Sequence, residues 1–432
     1  MSRERPPNAL SLPPPAPRGF SPRLAGVLLL PPVSILTGCA CAFFLWSLDA
    51  VTRIRFAHPE LLFGLPLAGW IMIRVYQTSG KGSDAGTRSI LAEVESPTPD
   101  ATRIPRRMAP FILFSTLVTH LCGGSAGREG TAVQMGGSLA ATLLRRCVLP
   151  PETVHLVLLG GIAAGFGGVF GTPLAGAVFA AEITRSRRGW RALPFFAGAA
   201  FLSDATCQLW GITHTAYTVA PATASLLPTL AELLRIAPAV AAASVALGAC
   251  AHVYLRLTES YSRLLQRLFP LASAHAVIGG LLVIILHGVV GIPDYLGLGV
   301  LAQTPESVTL PGFFQSPEIH PWSWLWKMLF TVLTLGSGFR GGDVTPLFFI
   351  GAALGNALSG ILGAPPDFLA GLGMVALFGA AAKTPWACWM LGMELFGIHH
   401  ALWIGITCWV AARFGGSKSL YAPAQTPPPK QS

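Results

Sequence analysis

The stretch Gly123-Gly124-Ser125-Ala126-Gly127-Arg128-Glu129-Gly130-Thr131 places a charged pair inside one of the most apolar regions of the chain. An ionisable residue at membrane depth is costly, and is by default a functional hypothesis. The glycines let backbone N–H groups turn inward at a helix start. Unpaired donors and the positive end of the helix dipole there make an anion site without a full cation. A full cation would hold the anion too tightly for fast passage. A carboxylate at such a place, here Glu129, competes with the anion when charged and withdraws when protonated, which couples proton movement to anion movement. The alternative is a structural Arg128–Glu129 ion pair.

Around this stretch the chain is built for lipid. It is 52 % hydrophobic and 11 % charged over 432 residues, with a mean hydropathy of +0.58, far from a soluble norm. A spanning helix needs about 20 mainly apolar residues. Charge-free runs of that kind recur at Ala25–Leu48, Met108–Gly127, Thr153–Ala181, Ile236–Tyr254, Phe269–Pro293, Val344–Pro366 and Leu395–Ala412. One such run is open to reading as a buried core helix, but seven are not. The 48 glycines and 36 prolines fit helices that pack closely, break, or line a cavity.

The net charge of +10 does not point to nucleic acid, because the basic residues lack an aromatic-interleaved patch and collect at segment ends. Arg103–Arg107, Arg185–Arg191 and the arginines of the first 23 residues are expected to face the cytoplasm by the positive-inside rule. The cysteines sit mostly in apolar runs and never at CxxC spacing, so they read as small core residues. Residues 1–24 and 422–432 are proline-rich and polar, and read as disordered tails. No cleaved signal peptide is expected. Gln77–Arg107 and Glu259–Arg267 are polar interruptions expected outside the lipid, the second as a possible helix extension.

The chain between the tails, 25–421, is internally duplicated, with halves of about 25–215 and 230–421. Phe166-Gly167, Thr172-Pro173 and Glu182 recur at the same spacing as Phe378-Gly379, Thr384-Pro385 and Glu394. Upstream, Gly127-Arg128-Glu129-Gly130-Thr131 with Gly137 matches Gly341-Gly342-Asp343-Val344-Thr345 with Gly351. Two matched blocks in one order argue for duplication. Membrane transporters use inverted repeats to bring a broken helix from each half to the midplane, helix N-termini toward an anion.

Gly127-Arg128-Glu129-Gly130 resembles the GREG signature of the CLC anion channel and transporter family. Thr172-Pro173-Leu174-Ala175-Gly176 with Glu182, the turn Gly342-Asp343-Val344-Thr345-Pro346, and Tyr421 after the last apolar segment are similar to that family's further motifs, in order, from about Gly26 to Tyr421. The resemblance implies an all-α polytopic membrane protein, a CLC-type inverted repeat of tilted, partly spanning and broken helices. It also implies a homodimer with an anion path in each subunit, and both termini in the cytoplasm. By the same resemblance Glu129, with Asp343, is the gating and proton-coupling residue. Gly127, Arg128, Gly130, Thr131, Val344, Thr345, Phe348, Tyr421 and Ser83 fall on the anion path, Tyr421 offering its hydroxyl to a central anion.

Departures from the chloride-type pattern point to a subclass. Thr131 stands where chloride members have proline, and Gly80-Lys81-Gly82-Ser83-Asp84-Ala85 stands where they have GSGIP. Ile183 occupies the position of the internal proton glutamate, and Asp343-Val344-Thr345 replaces their GxFxP turn. Thr131-Ala132-Val133-Gln134-Met135-Gly136 and Gly341–Ala352 instead resemble the bacterial fluoride-exporting branch, with aspartate at 343 for the usual glutamate. That resemblance implies a bacterial inner membrane, and fluoride and protons as the transported partners. A chloride channel or chloride/proton exchanger is the alternative. Fluoride is small and strongly hydrated, so a selective path needs close donors as water is stripped. Thr131, Thr345 and Tyr421 carry hydroxyls at the motif positions.

Phe348 or Phe349 would add ring edges, or else pack against lipid. Glu182 and Glu394 read equally as capping or pairing residues, Arg185 being a candidate partner of Glu182. His399-His400 lack acidic neighbours at ligand spacing, so no metal is expected, and no cofactor is implied. An intramembrane enzyme would need a nucleophile and base on neighbouring helices, and neither a GxSG-like serine nor an HExxH pair is present.

Overall fold

The computed structural model describes residues 22–83, 86–96, 98–184, 186–220, 229–315 and 320–421. The terminal segments 1–21 and 422–432, most of the first expected tail and all of the second, and Arg185 lie outside the described residues. The first repeat runs through α1 (Pro22–Ala57), α2 (Leu65–Thr78), α3 (Thr87–Glu95), α4 (Met108–Leu121), α5 (Glu129–Leu144), α6 (Pro151–Phe170), α7 (Pro173–Ile183), the short α8 (Arg187–Arg191) and α9 (Leu193–Leu209). The second runs through α10 (Leu230–Leu268), α11 (Ala272–Val290), α12 (Ser323–Gly336), α13 (Val344–Leu362), α14 (Pro366–Ala382), α15 (Pro385–Phe396) and α16 (Ala401–Phe414). No extended strand forms among the described residues.

Among the described residues, six segments are long and apolar enough to cross a bilayer, including Gly26–Ala57, Pro151–Phe170 and Val344–Leu362. Others are not. With 11 residues, α7 is roughly 16 Å long at the helical rise, about half the hydrocarbon thickness. With 39 residues, α10 is roughly 58 Å long, so it tilts or leaves the lipid. It carries Glu259–Arg267 as a helix extension, as that polar interruption permits.

The apolar run Thr153–Ala181 is two helices, not one. Gly171 adopts the left-handed conformation at φ 70° and closes α6, and Pro173 then opens α7 at a position where its missing N–H costs nothing. The second repeat breaks identically, with Lys383 at φ 62° closing α14 and Pro385 opening α15. The stretch Gln77–Arg107 is only partly a loop. Within it, α3 buries Ile90, Leu91 and Val94, Ile90 filling the space over Gly137.

Close backbone approach holds each repeat together. A methyl group on Gly136 of α5 would stand 2.0 Å from the Gly161 carbonyl oxygen of α6. In the second repeat one on Gly351 of α13 would stand 2.1 Å from the Gly373 oxygen of α14. Small residues permit this contact, and in lipid, where helix association has no hydrophobic drive, van der Waals packing of this kind is its main source. The two repeats meet at the centre through an antiparallel bridge: Gly127 donates its N–H to the Gly342 carbonyl (2.6 Å) and Gly342 returns one to Gly127 (2.8 Å).

The repeats are inverted. Gly26 in α1 packs on Thr153 and Leu156 at the start of α6, and His155 Nε2 meets the Ser96 carbonyl oxygen (3.0 Å). Arg145, just past α5, donates to the carbonyls of Ala101 (3.2 Å) and Thr102 (2.7 Å). The start of α1, the end of α5 and Arg103–Arg107 therefore share one face, called here the basic face. Helix α13 runs from the same central bridge the other way, its end at Gly363 beside Pro366 at the start of α14. Asp367 there accepts from the Ala220 N–H (2.7 Å), beyond α9 on the far face.

Candidate functional site

Glu129 opens α5 at the central bridge, and the second repeat supplies its partners. The backbone N–H of Thr345, in the first turn of α13, donates to Glu129 Oε2 (3.1 Å), and the Thr345 hydroxyl donates to the same oxygen (2.5 Å). Arg128 adds its own backbone N–H (3.1 Å) and a guanidinium contact to Oε1 (3.3 Å). The carboxylate is 1 % exposed, so burial without these donors would be prohibitive. Helix dipole, N–H and hydroxyl here converge on one oxygen, which is the arrangement that binds an anion. The Arg128–Glu129 pair foreseen as an alternative exists, but the closest donor comes from the other repeat.

A cavity of about 20 Å³ adjoins this carboxylate, lined by Arg128, Glu129, Phe170, Thr215, Tyr217, Thr345 and Phe348 among others. That is room for roughly one water-sized species. Phe348 faces the cavity and is not a lipid contact. It is 2 % exposed and packs tilted on Phe170 (5.4 Å) and edge-on to Phe378 (5.7 Å). Phe349 is also protein-buried, edge-on to Tyr295 and Phe313.

The other predicted residues take distinct places. Gly127 and Gly130 lie against the Gly342 backbone, where a Cβ on either would come within 2.9 to 3.0 Å. The Thr131 hydroxyl is hydrogen-bonded to that of Thr116 in α4 (2.8 Å). Val344 is core, 2 % exposed. Asp343 does not share Glu129's cluster of hydrogen bonds; its Oδ1 accepts from the Tyr254 hydroxyl of α10 (2.6 Å). Tyr421 packs its ring edge-on to Phe179 (5.6 Å). Leu420 beside it donates to the Ala381 carbonyl at the end of α14, which places this segment on the basic face. Ser83 sits between α2 and α3, 3 % exposed, with a buried hydroxyl that has no partner among the described residues. Arg107 donates to the Lys81 carbonyl (3.4 Å), so this loop too lies on the basic face.

Thr116, Tyr217, Thr215 and Tyr254 escaped the sequence reading. Tyr217, Thr215 and Tyr254 stand far in sequence from the motifs they contact or face, Thr116 stands on the helix just before its motif, and no local pattern marks any of them. Glu182 and Glu394 do not reach the cavity. Each caps the other repeat's helix, Glu182 accepting from Trp386 and Ala387 and Glu394 from Leu174 and Ala175.

With this geometry in hand, comparison with known proteins is specific. The model of the voltage gated chloride channel family matches residues 63–416. A "chloride/fluoride channel protein" of Pseudomonas syringae pv. tomato is 40 % identical over 428 residues, 98 % of this chain and 89 % of that one. Among solved structures, a CLC-type fluoride/proton antiporter superposes with a TM-score of 0.84 at 31 % identity, covering 92 % of this chain and 97 % of the other. A slow cyanobacterial Cl-/H+ antiporter superposes at 0.74 with 18 % identity over 93 % of this chain, a likeness of fold.

Proposed function

The chain belongs to the voltage gated chloride channel family, an anion-transporting membrane family, and we propose that it exports fluoride by exchanging it for protons. The observation that carries this is the seat of Glu129. Its carboxylate occupies a pocket of donors, the Thr345 N–H and hydroxyl, that would serve a small anion equally well. Fluoride has a high cost of dehydration, and a rigid hydroxyl and N–H at hydrogen-bond distance offset it. When Glu129 takes up a proton it loses its charge and its claim on those donors, and fluoride replaces it. When fluoride leaves, the ionised carboxylate returns and closes the path. One proton is carried on the Glu129 carboxyl while the anion passes the other way.

The inner end of the path is assigned to Ser83 and Tyr421. Both lie on the basic face, and the buried Ser83 hydroxyl without a partner suits a donor to a passing anion. Asp343, held by Tyr254, is assigned a part in proton coupling. The basic face is placed in the cytoplasm by the positive-inside rule, in a bacterial inner membrane, with two subunits associating and each keeping its own path. The likeness to proteins described as a chloride/fluoride channel and a fluoride/proton antiporter supports the choice of ion.

The test is efflux from liposomes followed with fluoride-selective and chloride-selective electrodes beside an internal pH dye, comparing wild type with Glu129→Gln. Fluoride preference with proton movement in the opposite direction, lost in the variant, supports the reading. Equal or greater chloride flux overturns the assignment of fluoride.

A further inference from the structure

We propose that Tyr217 is the inverted-repeat counterpart of Tyr421, and that its hydroxyl serves the same small anion at the opposite mouth of the path. This rests on the fluoride reading above and names a donor that reading lacks.

The correspondence is one of position and packing. Tyr217 stands eight residues past Leu209, the last residue of the final helix in the first repeat, and Tyr421 stands seven past Phe414, the last of the second. The segment before each tyrosine closes over the same broken turn. His214 fills the space above Gly171, where α6 ends. Leu420 and Ser419 hydrogen-bond the carbonyls of Ala381 and Ala382, where α14 ends. Each ring then leans on an aromatic of the other repeat's half-helix, Tyr421 edge-on to Phe179 of α7 and Tyr217 edge-on to Phe396 at the end of α15 (6.3 Å). Because the repeats are inverted, Tyr421 falls on the basic face and Tyr217 on the far face.

The position is also chemically apt. Tyr217 and Thr215 border the cavity that holds Glu129, Arg128 and Thr345. The Tyr217 ring also packs on Phe314 (5.1 Å), which itself contacts Phe396 (5.8 Å). Tyr217 is partly buried, and its hydroxyl makes no hydrogen bond among the described residues, so it is open to the cavity it borders. A hydroxyl that no described residue occupies, on a cavity the size of one water beside the Arg128 guanidinium, is placed to donate to a small anion. An anion displaced from the Thr345 donors by the returning Glu129 carboxylate would meet Tyr217 and Thr215 before it met bulk water. Dehydration would then be offset on both sides of Glu129, by Tyr421 on one and Tyr217 on the other.

Tyr217→Phe keeps the ring and its packing and removes only the donor. The experiment measures fluoride and chloride efflux from liposomes containing wild type, Tyr217→Phe or Tyr421→Phe, with thermal unfolding of each in detergent. A hydrogen bond to a charged species lost from the path lowers the fluoride-to-chloride rate ratio by roughly tenfold, and the expected result is that Tyr217→Phe does so at an unchanged unfolding temperature. A merely structural tyrosine would move the unfolding temperature and leave the ratio alone. A wild-type ratio in Tyr217→Phe, from a wild type that does prefer fluoride, overturns this assignment and leaves the fluoride reading intact. A wild type without fluoride preference overturns both.

Discussion

Glu182 and Glu394 exchange places across the repeat. The carboxylate of Glu182, at the end of α7, accepts from the N–H groups of Trp386 (3.1 Å) and Ala387 (2.8 Å) at the start of α15. The carboxylate of Glu394, at the end of α15, accepts from Leu174 (2.9 Å) and Ala175 (2.7 Å) at the start of α7. The first turn of a helix leaves its N–H groups without partners, and the N-cap residues of these two helices, Thr172 and Thr384, make no side-chain cap hydrogen bond. Each repeat therefore supplies the cap that the other lacks.

This reciprocity predicts a stability effect without a transport effect at the site. Glu182→Ala and Glu394→Ala each strip a helix start of its acceptor in a dry setting, at a cost of about 1–3 kcal/mol. Thermal unfolding in detergent should fall in both and fall least in the Gln variants, which keep one acceptor oxygen. Unfolding unchanged in either Ala variant would contradict the reciprocal capping.

The Thr345 hydroxyl should be separable from its backbone N–H. Thr345→Ser keeps the donor and Thr345→Val removes it with little change in shape. A hydrogen bond to a charged group is worth about 1.5–3 kcal/mol, so Val should weaken apparent fluoride affinity roughly tenfold or more, read from the concentration dependence of efflux, while Ser stays near wild type. Equal behaviour of the two variants would remove the hydroxyl from the path.

Helix contact at the glycine crossings should tolerate no side chain. Gly351→Ala puts a methyl 2.1 Å from the Gly373 oxygen, which is backbone and cannot swing away. Gly363→Ala meets nothing within 4 Å but is strained at φ 63°. The first should abolish the folded protein recovered from membranes, and the second should lower its unfolding temperature modestly. Recovery of well-folded Gly351→Ala protein would contradict the packing.

Asp343 is one methylene shorter than the residue the fluoride-exporting resemblance leads one to expect, and Tyr254 reaches it from α10. Tyr254→Phe leaves the carboxylate without that donor. The pH dependence of fluoride flux should shift in the variant, and Asp343→Asn should show what remains without a titrating group. A pH profile identical to wild type in both would exclude Asp343 from proton coupling.

Much of this was legible in the sequence because the repeat wrote its motifs twice. Gly127–Thr131 and Gly341–Thr345 mark the two broken-helix starts, and Thr172-Pro173 and Thr384-Pro385 recur at matched spacing and so mark the duplication. The Gly-Thr-Pro break at Gly171 lies inside an apolar run, and hydropathy alone passed over it. What stayed hidden was contact between distant segments. The partner of the Thr131 hydroxyl, Thr116 on the preceding helix, was not read. Glu129's nearest donor, Thr345, lies 216 residues away. Tyr217 carries no motif of its own; only the register of the repeat, compared at the ends of α9 and α16, singles it out.

The central claim is that fluoride and protons move in opposite directions on one cycle that passes through Glu129. The most direct measurement loads liposomes with fluoride at equal pH inside and out, and follows internal pH as fluoride leaves. Exchange predicts that the interior acidifies as fluoride flows out, and that Glu129→Gln loses the acidification. Passive loss of hydrogen fluoride carries the proton outward and makes the interior alkaline, so the sign separates the two. Fluoride efflux by the protein without internal acidification would contradict the account.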